Sequence, residues 1–121
     1  MSEQGRYSFS GLDRLFHERA RLGIMTSLVS HADGILFPNL KVLCDLTDGN
    51  LNRHLSVLEE AECIEIWKSG AGRKQQTLVR MTAIGRQKFL EYLGQLETVI
   101  RAASAAAEKR SGLPDLGFSA G

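Results

Sequence analysis

The stretch that decides the fold is "LTDGNLNRHLSVLEEAECIEIWKSGAGRKQQTLVRMT", residues 46–82. Its first half carries Leu51, Leu55 and Leu58, whose four- and three-residue spacing lines one face of a helix. Further on, apolar and polar residues alternate in "CIEIWKS" and again in "QQTLVRMT", on either side of the loop "GAGRK". The stretch therefore predicts a helix over about residues 47–61 followed by a β-hairpin.

Polar residues cluster where this helix begins. Thr47 is placed to cap it, because its hydroxyl can accept a hydrogen bond from a first-turn amide. Asn and Arg side chains can pair with base edges of duplex DNA, and a glycine lets the backbone approach closely. The alternative is a solvated polar face that happens to be rich in Asn. On the first interpretation the DNA-contacting residues of the helix are Thr47, Asp48, Gly49, Asn50, Asn52 and Arg53.

The tip of the predicted hairpin is basic. Arg73 and Lys74 lie in its loop, and Lys68 and Arg80 flank it without an acidic residue between them. Glycines allow such a loop, about residues 69–75, to bend along a DNA backbone, so that its cations reach phosphates or the adjacent minor groove. An ordinary charged surface turn is the alternative interpretation.

Two further helices are predicted upstream. Apolar residues at three- and four-residue steps indicate a first helix over about residues 12–30, either continuous or broken near His17. The short apolar run "ILF" is followed by Pro38, which suits the first turn of a second helix over residues 38–45 with Leu40 and Leu43 inward. Residues 1–10 carry no pattern and are predicted to be a flexible arm.

The last predicted helix is long. It begins at Thr82, a second capping candidate, and extends to about Arg110, roughly 40 Å. Apolar residues recur along it as a heptad seam that ends at Ala107, and a core of this size cannot cover its distal half. We therefore expect a homodimer, with an interface formed by Leu12, Leu15, Phe16, Phe89, Leu93, Leu96, Ile100 and Ala103. Residues 111–121 contain Gly112 and Pro114 and are predicted to be a flexible tail.

Composition limits the classes of function. The chain has 121 residues, enough for one domain, and its 15 basic and 14 acidic residues nearly balance. No signal peptide or membrane-spanning run is evident, so a cytoplasmic protein with reduced thiols is expected. Cys44 and Cys63 have no neighbours with metal-ligand spacing, and no nucleophile and base pair is evident. The sequence thus predicts no metal, no cofactor and no enzymatic activity.

The order of predicted elements is helix, short strand, helix, helix, strand, loop, strand and long helix. Together with "LDRLFHERARLGIM", "LTDGNLNRHLSVLEEAECIEI" and "GRKQQTLVRMTAIGRQKF", it resembles the winged helix transcriptional regulators of bacteria and archaea related to the MarR and ArsR classes, over about residues 11–98. The resemblance implies a mainly α fold with a small β-hairpin in one domain, about residues 11–110. It also implies a dimeric regulator that places its third helix in the major groove of a specific double-stranded DNA site.

Two other functions stay open at this stage. In the first, the same outer face and hairpin dock on a protein partner, and the chain is a winged helix interaction module without specific DNA binding. In the second, a small-molecule effector binds between the first and last helices, although no polar cluster in those helices points to one. The sequence gives neither the operator nor the direction of regulation.

Overall fold

The computed structural model describes residues 4–110. Within them four α-helices and three strands follow one another, and a short 3-10 turn, Gly72–Lys74, joins the last two strands. This order confirms the predicted winged helix-turn-helix fold, mainly helical with a small sheet. The elements are α1 (Arg19–Val29), β1 (Ile35–Leu36), α2 (Phe37–Cys44), α3 (Asp48–Glu60), β2 (Ile64–Ser69), β3 (Gln76–Met81) and α4 (Ala83–Arg110).

The prediction that the first helix begins near residue 12 is wrong. Residues 10–17 form turns, in which the Asp13 carbonyl accepts from the amide of His17 at 3.0 Å and the Asp13 carboxylate accepts from the Leu15 amide at 2.9 Å. Such local side-chain bonds compete with helix formation. The helix starts only after Glu18, whose carboxylate caps it by accepting from the Arg21 amide at 3.0 Å.

A three-residue turn separates α2 from α3. Asp45 ends α2 in the left-handed conformation, with φ of 53°, and its amide donates to carbonyls of the last turn. Leu40 is buried as predicted, whereas Leu43 is 60% exposed, so its predicted inward position is wrong.

The third helix matches its prediction closely. The Thr47 hydroxyl accepts from the Asn50 amide at 3.2 Å and so caps α3. Leu51, Leu55 and Leu58 are all buried in the core. Their spacing thus identified the inner face of α3, and by exclusion its outer face.

The sheet is antiparallel with the strand order β1-β3-β2. Val79 of β3 pairs with Ile35 on one side and Ile66 on the other, and this row faces the helices. The hairpin of β2 and β3, called the wing from here on, confirms the predicted hairpin, and the two-residue β1 adds a third strand from the run "ILF".

The start of α4 is fixed to the chain just before the hairpin. Thr82 caps the helix by accepting from the Gly85 amide at 2.9 Å, as predicted, while its own hydroxyl donates to the Glu62 carbonyl at 2.6 Å. The Thr82 amide also donates to the Cys63 carbonyl at 3.0 Å. These bonds set the direction in which the 28-residue helix leaves the domain.

Parts of the predicted termini lie outside the described residues. This holds for the tail, residues 111–121, and for the first three residues of the arm. Residues 4–10 form turns beside the distal half of α4, where Tyr7 and Phe9 face Ala102 and Ala106 across a groove. Whether this arm is flexible stays a prediction. In the part of the chain that is described, no helix has both the length and the apolar character needed to cross a membrane.

Candidate nucleic-acid interface

The N-cap and outer face of α3 carry the six residues of this helix that were predicted to contact DNA. Thr47, Asp48, Gly49, Asn50, Asn52 and Arg53 are exposed. Leucines occupy the inner face of the helix. The polar residues therefore lie on the opposite face, which is centred on Gly49 and Arg53. An exposed helix start of this kind presents both side chains and free backbone amides to a ligand.

The acidic residue in this surface has a partner. The Asp48 carboxylate lies 2.8 Å from the Lys41 ammonium of α2. The pair is exposed, so it contributes little stability, but the cation reduces the repulsion that a lone carboxylate would exert on phosphate. Asp48 also lies in the first turn of α3, where a negative charge is favourable. The sequence alone did not indicate Lys41 as part of this surface.

On one side of α3, Asn50 and Arg53 border a cleft toward α1 and the end of α2. A guanidinium nitrogen of Arg53 lies 3.5 Å from the Asn50 side-chain oxygen, which is a weak hydrogen bond. The cleft has a volume of about 610 Å³ and also includes Arg19 and His54. Because Arg53 is exposed and only weakly held, it is free to turn toward a base or a phosphate.

On the other side of α3, a second cleft joins the helix to the sheet. Its volume is about 640 Å³, and Asn52 and Ser56 face Lys68 and Thr77 across it. Lys68 therefore lies beside α3 rather than at the wing tip. Ser56 was missed by the sequence analysis, although its position four residues after Asn52 puts both on one face of the helix.

The distal half of α3 differs in charge from its first turns. Glu59 and Glu60 are exposed there, and Glu59 borders the same cleft as Lys68. Carboxylates repel phosphates, so a duplex would approach the N-terminal half of α3 most closely. This polarity matches the way in which recognition helices commonly use their first residues to read bases.

The wing tip presents two cations on a tightly turned backbone. Arg73 and Lys74 are exposed in the 3-10 turn, and among the described residues no carboxylate forms an ion pair with either of them. Gly70 has φ of 81°, and a Cβ there would collide with the Lys74 carbonyl oxygen, so the turn requires glycine. Arg80 differs, because it lies 3.6 Å from Glu65 and pairs with it.

A buried polar network lies beneath the exposed face of α3. His54 is 6% exposed, and its Nδ1 lies 3.2 Å from a guanidinium nitrogen of Arg21 and 3.6 Å from a Glu18 carboxylate oxygen. Burial lowers the pKa of His54, and the cations of Arg53 and Arg21 add to this against the opposing charge of Glu18. Burial tends to raise the pKa of Glu18, but amide hydrogen bonds and the charges of His54 and Arg21 lower it overall.

The residues predicted at a dimer interface fall into three groups by their exposure in the protomer. Phe16 and Phe89 are fully buried within the protomer, in an edge-on contact with ring centroids 5.4 Å apart, so neither reaches a surface where a second chain could touch it. Tyr92, which the heptad pattern missed, completes this aromatic cluster. Ile100 and Ala103 are exposed, and Leu12, Leu15, Leu93 and Leu96 are partly buried.

The thiols and histidines do not assemble into a metal site. Among residues 4–110 no three His, Cys, Asp or Glu side chains converge as metal ligands. Burial raises the pKa of both Cys44 and Cys63, which keeps the two thiols protonated at neutral pH.

Comparison with known proteins identifies the fold family. Residues 20–100 match the family described as "Winged helix DNA-binding domain". The chain belongs to this winged helix family. Membership in a family of DNA-binding domains confirms the prediction of a transcriptional regulator-like protein rather than an enzyme.

This winged helix protein is similar to proteins from archaea, both in sequence and among solved structures. An uncharacterized protein of Methanocaldococcus jannaschii is 32% identical over 83 residues, which cover 69% of this chain and 89% of the relative. Among solved structures, a transcriptional regulator homologue from Pyrococcus horikoshii OT3 is 29% identical, with a TM-score of 0.69, and the match covers 85% of this chain and 98% of that one.

A more distant structural neighbour is MepR of S. aureus, solved in a complex with DNA. It has a TM-score of 0.59 at 15% identity, and the match covers 93% of each chain. At this identity the likeness concerns the fold alone. A MarR-family transcriptional regulator from Silicibacter pomeroyi is also a structural neighbour, with a TM-score of 0.51 at 15% identity over 94% of this chain and 86% of that one, in agreement with the resemblance in the sequence.

Proposed function

We propose that the protein is a homodimeric transcriptional regulator that binds a pseudo-palindromic operator. In this proposal α3 enters the major groove, and the wing contacts the adjacent backbone or minor groove. The observation that carries it is the cleft of about 640 Å³ in which Asn52 and Ser56 of α3 face Lys68 of β2. Groups that read bases and groups that hold phosphate thus share one surface.

The proposed dimer rests on the distal half of α4. Leu96 is partly buried against the core, and Ile100 and Ala103 continue the heptad seam beyond it, where Ile100 is 59% exposed. An unpartnered apolar seam on a helix about 42 Å long is costly in water, and a second copy would cover it. A two-fold axis through this seam would present two copies of α3 to one duplex.

The function is tested by selecting duplex fragments from genomic DNA with the purified protein. The best fragment is then titrated by fluorescence anisotropy at several salt concentrations. We expect one enriched pseudo-palindrome, one dimer per site, and an affinity that falls steeply as salt rises, because bound phosphates release counterions. Absence of enrichment, with weak and salt-insensitive binding, would contradict the proposal.

Gly49→Ala separates DNA contact from helix stability. A Cβ at Gly49 would meet no atom within 4 Å, so alanine is expected to stabilise α3 by about 0.5–1 kcal/mol. In the complex the added methyl group would stand between α3 and the duplex, and operator affinity should fall while the melting temperature rises. An affinity equal to that of the wild type would mean that this end of α3 does not closely approach DNA.

Arg53→Ala and Arg73→Ala should affect DNA binding in different ways, the first through base specificity and the second through phosphate contact. Loss of a base contact by Arg53 should weaken operator binding by about 1–3 kcal/mol and relax specificity at one base-pair position. Loss of a phosphate contact by Arg73 should weaken all duplexes alike and reduce the salt slope by about one. Anisotropy titrations of both variants on operator and random duplexes measure the difference. An unchanged operator affinity in Arg53→Ala would contradict the placement of α3 in the groove.

One observation favours the alternative function, a winged helix that docks on protein. On the outer face of the sheet, Trp67 pairs with Leu78, which pairs with Leu36, and Trp67 is 56% exposed. This apolar row resembles surfaces that bind protein partners more than surfaces that bind phosphate. The salt titration discriminates, because an interaction module would show little salt-dependent affinity for duplex DNA.

A further inference from the structure

Arg21 of α1 connects three parts of the fold that are distant in sequence. One guanidinium nitrogen donates to Nδ1 of His54 on α3 at 3.2 Å, and Nε donates to the Leu15 carbonyl at 2.7 Å. The side chain is partly buried between these partners. It therefore holds the turn before α1 and the inner face of α3 in one arrangement.

The bond to His54 depends on the charge of the imidazole. A guanidinium has only donors, so Nδ1 must be an acceptor, and the ring is neutral with its proton on Nε2. His54 lies directly next to Arg53 in the chain and borders the cleft that contains Asn50 and Arg53. A change in the position of His54 would thus shift the two polar residues proposed to read bases on this side of α3.

The turn held by Arg21 is itself anchored on α4. Phe16 packs on Phe89 and Tyr92, with ring centroids 5.4 and 5.7 Å away. Next to it, Nδ1 of His17 lies 2.8 Å from the Tyr92 hydroxyl. The hydrogen bonds of Arg21 therefore link the polar face of α3 to the root of the helix that carries the exposed seam.

We propose that Arg21 is a positioning residue for DNA recognition, which fixes the angle of α3 relative to α4 through its bonds to His54 and the Leu15 carbonyl. This inference rests on the proposed function, since it concerns how accurately two copies of α3 would fit one operator. Non-specific binding depends mainly on phosphate contacts and tolerates a small change in this angle, whereas base reading does not. Arg21 thus acts on specificity without touching DNA.

The groups around His54 make the arrangement sensitive to pH. From α1 and its cap, Arg21 and Glu18 face the ring, and Arg53 adds a positive charge from α3 itself. Arg19 and Asp45 border the same cleft. Protonation of Nδ1 would remove the acceptor for Arg21, repel its guanidinium and favour a bond to Glu18, 3.6 Å away. Because the pKa of His54 is lowered from its ordinary value, the ring is neutral above pH about 6.5, and operator affinity should keep its full value there. Affinity should fall at lower pH as the ring becomes charged.

The experiment compares Arg21→Met, Arg21→Lys and His54→Asn with the wild type. Each protein is titrated on the selected operator and on a random duplex between pH 5 and 8, and the titration of His54 is followed by NMR. Met keeps the aliphatic stem of Arg21 without its donors, and Lys keeps the charge on a single donor group, the ammonium. The carboxamide oxygen of Asn can replace Nδ1 as an acceptor for Arg21 but does not titrate. Thermal unfolding confirms that each variant is folded at the temperature of the titrations.

We expect Arg21→Met to reduce the ratio of operator to random-duplex affinity by about 3- to 30-fold, and Arg21→Lys to restore part of it. The NMR titration should show a higher pKa for His54 in Arg21→Met, because a cation and a donor to the neutral ring are removed. His54→Asn should keep the ratio at pH 7.5 and retain it at acid pH, where the wild type loses it.

Two outcomes would overturn the inference, and they are distinguishable. If the wild type binds its operator and Arg21→Met keeps the same affinity ratio and the same pH profile, Arg21 has no positioning role, and the proposed function stands. If the wild type binds no duplex DNA in a salt-dependent way, the proposed function fails and the positioning role fails with it. An Arg21→Met variant that unfolds leaves Arg21→Lys and His54→Asn to decide, since both keep a hydrogen-bonding group at the site.

Discussion

Gly85→Ala is expected to lower the free energy of unfolding by about 2–4 kcal/mol. A Cβ at Gly85 would lie 2.7 Å from the carbonyl carbon and 2.8 Å from the Cα of Cys63. Both are backbone atoms, so no side chain can rotate away. The measurement is urea or thermal unfolding followed by circular dichroism.

Neither side of this contact can easily move. Thr82 donates its amide to the Cys63 carbonyl and its hydroxyl to the Glu62 carbonyl, which fixes the start of α4 against the start of β2. Displacing the helix to make room for the methyl group would lengthen these bonds. The strain would therefore be divided between a steric clash and lost hydrogen bonds.

Gly94→Ala provides the matched control on the same helix. A Cβ there would meet no atom within 4 Å, so alanine should only reduce the freedom of the unfolded chain and raise stability by about 0.5–1 kcal/mol. Opposite signs for the two substitutions would identify the contact with Cys63 as the cause. A Gly85→Ala variant as stable as the wild type would show that α4 does not approach β2 this closely.

The elements that the sequence predicted well are those decided by local chemistry. Thr47 and Thr82 cap helices because a hydroxyl in that position can accept from a nearby amide whatever the tertiary fold. Leu51, Leu55 and Leu58 define an inner face by their spacing alone. The hairpin followed from the change in period and the glycines of the loop.

The features that the sequence could not predict depend on contacts between distant residues. The apolar spacing after Leu12 suits a helix, but the bonds of Asp13 favour a turn, and Phe16 then packs on α4 instead of lining a helix face. Tyr92 lies one residue before the heptad position of Leu93 and is nevertheless the more deeply buried of the two. The burial of Tyr92 is explained by the turn before α1, since Phe16 and His17 in that turn contact its ring and its hydroxyl.

The candidate site shows the same division. Residue type and helix position suggested Asn50, Asn52 and Arg53 as groups that could read bases, and the structure places all three at the surface. No pattern indicated Lys41, because its role depends on an ion pair with Asp48, seven residues later in the chain. Arg21 and His54 are 33 residues apart and meet only after α1 and α3 have packed.

Ile100→Asp is expected to convert the proposed dimer into a monomer and to reduce operator affinity by about 10²- to 10⁴-fold. The side chain is 59% exposed in the protomer and lies on the heptad seam beyond the aromatic cluster. In a two-fold interface each substitution would bring a carboxylate into an apolar contact, and both copies would do so at once. A monomer binds one half-site and loses the effective concentration that links the second α3 to DNA.

Ile84→Asp is the matched control, because Ile84 is 47% exposed on the same helix but lies in its first turn and off the seam. It adds the same charge where the helix dipole favours an acid, so any loss of affinity that arises from charge alone should appear in both variants. Sedimentation velocity and anisotropy titration measure mass and affinity. A monomeric Ile100→Asp variant beside a dimeric Ile84→Asp variant would place the two-fold axis on the distal half of α4. If Ile100→Asp remained a dimer with full operator affinity, the interface would have to lie elsewhere, and the exposed seam would then have no role in joining the two recognition helices.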